Sequence, residues 1–221
     1  MKIKQIIDEL RESFLEYTRK AFSLLPEMGN PRILDVGCGR GLPTIELAKL
    51  SGGQVIGIDI DSEALDEFRN EIKNKQLSNR IKILNKSLLN KQFQEDYSEW
   101  ADVVWGEGVF HMIGYEEGYK CSYKLLKSGG YLVINDLAVD IIDSLPIIEK
   151  IGFRVSDYFQ LPEEVWWTEF YKPLEKRIEQ LTIDDLNQAS IEEINQFETE
   201  IEMVKENPKN FDCAFYIFQK T

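Results

Sequence analysis

The 221-residue sequence contains a single histidine, His111. One imidazole argues against a metal site built on histidine. Cysteine is almost as scarce. Cys38, Cys121 and Cys213 are widely spaced, odd in number and form no CxxC pair or Cys/His cluster, so no zinc site is expected and metal ligands are assigned to none of them. Apolar runs are short; none approaches the ~20 residues that cross a bilayer. The first residues are charged and amphipathic (Lys2, Lys4, Asp8, Glu9, Arg11), unlike a signal peptide. A reduced, cytoplasmic setting is the expectation. Clusters of lysine and arginine are also absent, and the net charge is -13. Such a field repels nucleic acid and anionic lipid, which leaves small molecules or proteins as partners. There is no internal repeat and no low-complexity tract. What remains is a globular composition, 43% hydrophobic and 29% charged, of a length that suits one domain with an elaboration.

Along the chain, Ile3, Ile6, Ile7, Leu10, Phe14, Leu15, Phe22 and Leu25 fall at mostly helical intervals, which predicts one or two N-terminal helices over residues 1–29. Strands are predicted at 32–36, 54–60, 81–84, 101–105, 131–135 and 153–159, with a last one at 213–218. Helices are predicted between them at 42–50, 62–75, 116–126 and 143–150. This alternation indicates βαβ units and a parallel sheet. Residues 161–209 are too long for a connection and too helical for a linker. Pro162 suits a helix start, Thr182 a short cap, and Ser190-Ile191-Glu192-Glu193 has capping-box spacing. The stretch reads as a helical insertion or lid within a single domain.

The chemistry is concentrated in Ile33-Leu34-Asp35-Val36-Gly37-Cys38-Gly39-Arg40-Gly41. An apolar run carries an acid, breaks into glycines and leads into a helix, the shape of a nucleotide-like cofactor site. The third glycine of the dinucleotide pattern GxGxxG would fall at position 42, which is leucine. Asp35 also suits a pyrophosphate badly and a cationic group well. Asp59, 22 residues after Gly37, ends the second strand, where a carboxylate can accept both hydroxyls of a ribose. One acid for an amine and another for a ribose diol describe S-adenosylmethionine, which has no phosphate.

These residues, with Ile58-Asp59-Ile60, resemble the class I S-adenosylmethionine-dependent methyltransferases over about residues 30–160 and the final strand. The resemblance implies an α/β, Rossmann-like, doubly wound sheet of seven strands in the order 3-2-1-4-5-7-6, the last antiparallel. It implies that Asp59 holds the ribose, that Asp35, Gly37 and Gly39 approach the methionine part, that Ile60 flanks the adenine, and that Ser87 and Leu88 lie at the adenine edge, with Ser87 where the family usually has an acid. Tyr17 and Thr18 are placed near the methionine carboxylate. Trp105-Gly106-Glu107-Gly108-Val109-Phe110-His111-Met112-Ile113-Gly114 and Lys127–Tyr131 resemble the type-11 small-molecule group, which includes ubiquinone and menaquinone C-methyltransferases.

The reaction is expected beyond the carboxyl ends of strands 1 and 4. Glu107 is the expected polar group near the methyl or the methionine amine, and His111 the expected base or the cap of the following helix. Phe110, Met112 and Tyr115 shape the acceptor site or pack. Trp166, Trp167 and Tyr171 either wall the substrate or anchor the lid. The Asn/Asp-Pro-Pro-Tyr/Phe loop of amino-directed nucleic-acid methyltransferases is absent. Glu107 and Glu116 do not sit in the surroundings of an arginine methyltransferase, and the cysteines form no arsenite set. Methyl transfer to a small molecule thus competes with a cofactor-binding regulatory module and, disfavoured by Leu42 and Asp35, a nicotinamide-dependent oxidoreductase.

Overall fold

The computed structural model describes residues 2–181 and 188–221. The chain divides into two compact units. One comprises Tyr17–Phe159 and Ala214–Thr221; the other comprises Met1–Glu16 and Gln160–Cys213.

The larger unit is built on a seven-stranded sheet in the order β3-β2-β1-β4-β5-β7-β6. Its strands are β1 (Arg32–Val36), β2 (Gln54–Asp59), β3 (Ile81–Asn85), β4 (Ala101–Glu107), β5 (Leu126–Leu137), β6 (Phe153–Gln160) and an antiparallel β7 (Cys213–Lys220). β1 is paired in parallel along its whole length with β2 and from Ile33 to Val36 with β4, and its residues Ile33 to Val36 are all buried. That double burial explains why the run is apolar rather than alternating. The helices of this unit are α2 (Leu15–Ser23), α3 (Leu42–Ser51), α4 (Ser62–Asn74), α5 (Lys91–Asp96), α6 (Phe110–Ile113), α7 (Tyr115–Leu125) and α8 (Ala138–Ile151). Strand order and alternation match the expectation from sequence.

Several element ends differ from it for local reasons. The predicted helix at 116–126 is α7, preceded by a separate turn, α6. Gly114, at φ 89°, breaks the two apart. β4 runs two residues past Trp105, which places Glu107 within the ladder opposite Asn135. β5 begins at Leu126 and ends at Leu137, so Asn135 and Asp136 belong to it. The helix predicted at 143–150 begins at Ala138 despite Pro146 in its interior. The short α5 escapes periodicity because its start is set by one side chain, Asn90, whose oxygen accepts the Phe93 N–H at 2.8 Å.

The second unit contains α1 (Lys2–Glu12), a π-helical turn at Trp166–Tyr171, α9 (Lys172–Ile178), α10 (Gln188–Glu206) and a 3-10 turn at Pro208–Phe211. Its core is Ile3, Ile6, Ile7, Phe170, Leu174, Ile194 and Ile201. The helical spacing read at 3–14 and 194–204 is therefore the packing of one helical cluster. α10 starts ahead of Ser190, so Ser190 does not stand at its N-cap. The side chains of Ser190 and Glu193, and all of Thr182, lie outside the described residues.

Candidate active site

The register of the parallel strands brings the acids together. Val36 pairs with Ile58 of β2 and with Gly106 of β4. The next residues in each strand are Gly37, Asp59 and Glu107, so two carboxylates flank the first glycine at the carboxyl edge. Asp35 lies two residues earlier, opposite Gly57 and Trp105. This is the crevice that an open α/β sheet forms at its switch point.

The three glycines have different duties. All have positive φ: 69° at Gly37, 48° at Gly39 and 82° at Gly41. A Cβ on Gly37 would meet Val109 at 2.6 Å, and one on Gly41 would meet the Phe68 ring at 2.0 Å. Those two glycines let side chains pack against the loop. A Cβ on Gly39 would meet nothing within 4 Å. Gly39 therefore combines a backbone that favours glycine with open space beside it. The loop is tied down by the Gly37 and Cys38 N–H groups, which donate to the Ile58 carbonyl at 2.9 and 3.1 Å.

Asp59 holds the loop from the side. Its Oδ2 accepts the Gly39 N–H at 2.8 Å and its Oδ1 accepts the Asp61 N–H at 2.9 Å. A carboxylate has about four acceptor sites, so each oxygen keeps capacity for a further donor. Asn85, which opens the segment expected at the adenine edge, donates through its amide to the Asp59 carbonyl at 3.0 Å. Ile60 follows at 75% exposure, and Leu89 is exposed at 45%. Leu88 is core instead, 2% exposed. Ser87 accepts the Leu89 N–H at 3.1 Å through its hydroxyl, closing a local turn.

Asp35 is buried beneath the loop, where Thr44 at the start of α3 donates to it at 2.5 Å. Burial pushes its carboxyl up to about 8, against the Thr44 hydrogen bond and with added repulsion from Glu107 and Asp59. Glu107 is pushed up to about 7, again by burial, although Trp105 Nε1 and Thr18 Oγ1 both donate to its Oε1 at 2.7 and 2.9 Å. Thr18 thus engages Glu107, with its own side chain buried. The neighbouring Tyr17 is partly buried on the same helix. Trp105 and Thr44 were not picked out from sequence, because a strand tryptophan and a helix threonine read as packing until their donors are seen.

His111 lies beyond Glu107, at the start of α6. Its Nδ1 is 2.9 Å from Oδ1 of Asp136, and its backbone N–H donates to Oδ2 at 3.1 Å. The expected substrate residues divide. Phe110 is fully buried and packs under Gly106 and Gly118, so it belongs to the core, with no face left for a ligand. Tyr115 stacks obliquely on Tyr119, ring centroids 5.9 Å apart. In the helical unit, Trp166 stacks on Phe14 at 4.4 Å and donates to Cys213 Sγ at 3.2 Å, and Tyr171 donates to Glu200 at 3.1 Å. Trp167 packs against the same core. The anchoring role is the one these contacts describe.

Residues 33–130 match the family described as "Methyltransferase domain". Over that stretch the chain is similar to a methyltransferase domain. The methyltransferase GfsG of Streptomyces halstedii is 27% identical to it over 134 residues, covering 60% of this chain and 47% of that protein. The demethylmenaquinone methyltransferase of Bacteroides fragilis is 28% identical over 122 residues, covering 55% and 49%. The chain spans about half the length of these curated relatives. Among solved structures, the 4+2 cyclase SpnF has a TM-score of 0.74 at 16% identity, covering 92% of this chain and 81% of that one. The geranyl diphosphate C-methyltransferase of Streptomyces coelicolor A3(2) scores 0.69 at 14% identity, covering 99% and 83%. That enzyme was solved with Mg2+, geranyl diphosphate and S-adenosyl-L-homocysteine.

S-adenosylmethionine, the cofactor that this similarity implies, fits the residues present. The test is the cluster of Asp35, Asp59 and Glu107. Two of these carboxyls are forced upward by burial, with no cation among the described residues to offset them, and Gly39 beside them opens onto free space. A ligand with a cationic end and a ribose diol answers both features. A pyrophosphate beside three carboxyls would be repelled.

Proposed function

We propose that this protein transfers a methyl group from S-adenosylmethionine to a small-molecule acceptor. The observation that carries this reading is the clustering of the Asp35, Asp59 and Glu107 carboxyls at the switch point of the sheet, with Asp59 holding the open Gly39. The bound group supplies a methyl already activated by a positively charged sulfur. Asp59 would hold the ribose hydroxyls, Ile60 the adenine face, and the Gly37–Gly39 backbone the methionine part. Glu107, fixed by Trp105 and Thr18, would face the cationic end. Asp35, too buried to be reached freely, ties β1 to α3 through Thr44. With the methyl activated, the protein's remaining work is to align the acceptor, exclude water and take up a proton where one is lost.

No helix among the described residues is long and apolar enough to cross a membrane. The three cysteines are free and buried, which supports a cytoplasmic site of action.

Calorimetry with S-adenosylmethionine, S-adenosylhomocysteine and NAD tests the reading. The first two should bind and NAD should not. Asp59→Ala should weaken both by roughly 10- to 100-fold, the loss of ~1.4–3 kcal/mol of hydrogen bonding to a charged group. Unchanged affinity in the folded variant would sink the ribose assignment. Labelled-methyl screening over amines, phenols, quinols and thiols then reads the reaction itself. Binding without any acceptor would point to the regulatory alternative.

A further inference from the structure

The strand order divides the crevice. β2 carries Asp59, β1 leads into Gly37–Gly39, and β4 and then β5 follow on the other side of β1. A cofactor with its ribose at Asp59 and its methionine part over the glycines leaves β4 and β5 to the methyl acceptor. Glu107 and Asn135 are opposed there in the parallel ladder. Opposed residues project to one face of the sheet, from strands about 4.8 Å apart. Asn135 is 6% exposed, and its Nδ2 donates to the Ala214 carbonyl of β7 at 3.2 Å. A carbonyl only accepts, so this contact fixes which end of the amide is nitrogen. β7 lies on the side of β5 away from β4, and the amide oxygen is turned away from β7. On Glu107, Oε1 is already taken by Trp105 and Thr18. Among the described residues none donates to Oδ1 of Asn135 or to Oε2 of Glu107, and neither oxygen is sealed from solvent. Two open acceptors thus stand on neighbouring strands where a nucleophile has to be held.

We propose that Asn135 and Glu107 together bind the methyl acceptor, and that this acceptor is a primary amine. This rests on the methyl-transfer reading above. A neutral primary amine carries two hydrogens and one lone pair on the same atom. One hydrogen goes to Asn135 Oδ1 and the other to Glu107 Oε2, which leaves the pair for the methyl carbon. A hydroxyl or a thiol has one hydrogen and leaves one of the two oxygens without a donor, which costs affinity. The nitrogen pair becomes the new N–CH3 bond, and the pair of the broken S–CH3 bond stays on sulfur, which becomes neutral. The methylated ammonium loses one proton through Glu107 Oε2 to solvent. The product amine keeps a single N–H for two oxygens, so transfer stops at one methyl.

Turnover with labelled S-adenosylmethionine tests this on a panel of primary amines, each with its matched N-methyl amine, alcohol and thiol. The primary amines should be methylated and the matched alcohols and thiols should not. The N-methyl amines should react about 10-fold more slowly in kcat/KM, leaving the monomethyl amine as product. Asn135→Leu should lower kcat/KM for the primary amine by about 10-fold or more, with affinity for S-adenosylhomocysteine, read by calorimetry, unchanged. Should Asn135→Leu fail to fold, the comparison of primary with N-methyl amines in the wild type carries the test. Transfer to alcohols or thiols in place of amines, equal rates on the two kinds of amine, or full activity in folded Asn135→Leu overturns the proposal. Binding of S-adenosylmethionine with no transfer to any primary amine overturns it too. Failure to bind S-adenosylmethionine in calorimetry overturns the methyl-transfer reading itself, and the acceptor class with it.

Discussion

At the scale of single residues, the glycine loop separates packing from binding. Gly41 is close to the Phe68 ring and Gly37 is close to Val109, while Gly39 opens to space. Alanine at position 39 pays the left-handed backbone penalty of roughly 1–2 kcal/mol and little else. Alanine at 41 adds a collision with a buried aromatic ring. Gly39→Ala should therefore remain folded and lose S-adenosylmethionine affinity, whereas Gly41→Ala should lose several kcal/mol of stability, on the scale of overpacking plus strain. Thermal melts alongside calorimetry would check the pair; equal effects of the two changes would contradict this division of labour. From sequence the three glycines look alike, since which of them a neighbour approaches depends on Phe68 and Val109, 27 and 72 residues away.

At the scale of elements, periodicity identified the βαβ alternation and the helical character of residues 161–209. It misplaced ends set by single events: Gly114 dividing α6 from α7, Asn90 starting α5, and the ladder carrying β4 on to Glu107. It also left open whether Trp166, Trp167 and Tyr171 meet a substrate or hold helices together. The contacts of Trp166 with Phe14 and Cys213 and of Tyr171 with Glu200, and the packing of Trp167 on the same cluster, make them parts of the helical unit, around Phe170 at 1% exposure. Phe170→Ala should cost about 3–5 kcal/mol locally. Hydrogen exchange should then rise across α9 and α10 while β1, β2 and β4 stay protected. Uniform loss of protection across the sheet would show that the two units unfold as one.

At the scale of the molecule, the sheet gathers acids from three strands. Asp35 moves from 3.8 to about 8, and Glu107 from 4.5 to about 7. Between those limits the folded chain binds more protons than the unfolded chain does. Stability then falls as pH rises through the window from about 4 to about 8, and the penalty is complete above it. Glu107→Gln should flatten the part of the decline between about pH 4.5 and 7. It should gain on the order of 1–3 kcal/mol near pH 8, several degrees of Tm for a chain this long. Melts of wild type and variant across that range measure it, and parallel curves would refute the burial of Glu107 as the cause. S-adenosylmethionine should reverse the trend, stabilising more as pH rises, because a cation favours the ionised acids.

The alternation of strands and helices and the kind of ligand were legible in the sequence, and the strand order followed only from the family resemblance. Strand and helix periods are local properties, and the loop from Ile33 to Gly41 states its turn chemistry within nine residues. Asp59 is a strand's last residue wherever that strand lies. The tertiary structure alone decided which groups meet. Asp35, Asp59 and Glu107 become one electrostatic site through the register of β1, β2 and β4. Asp136 reaches His111 across 25 residues of chain because β5 pairs beside β4. Register and strand order arise from many weak contacts summed over the whole sheet, so no short stretch of sequence carries them.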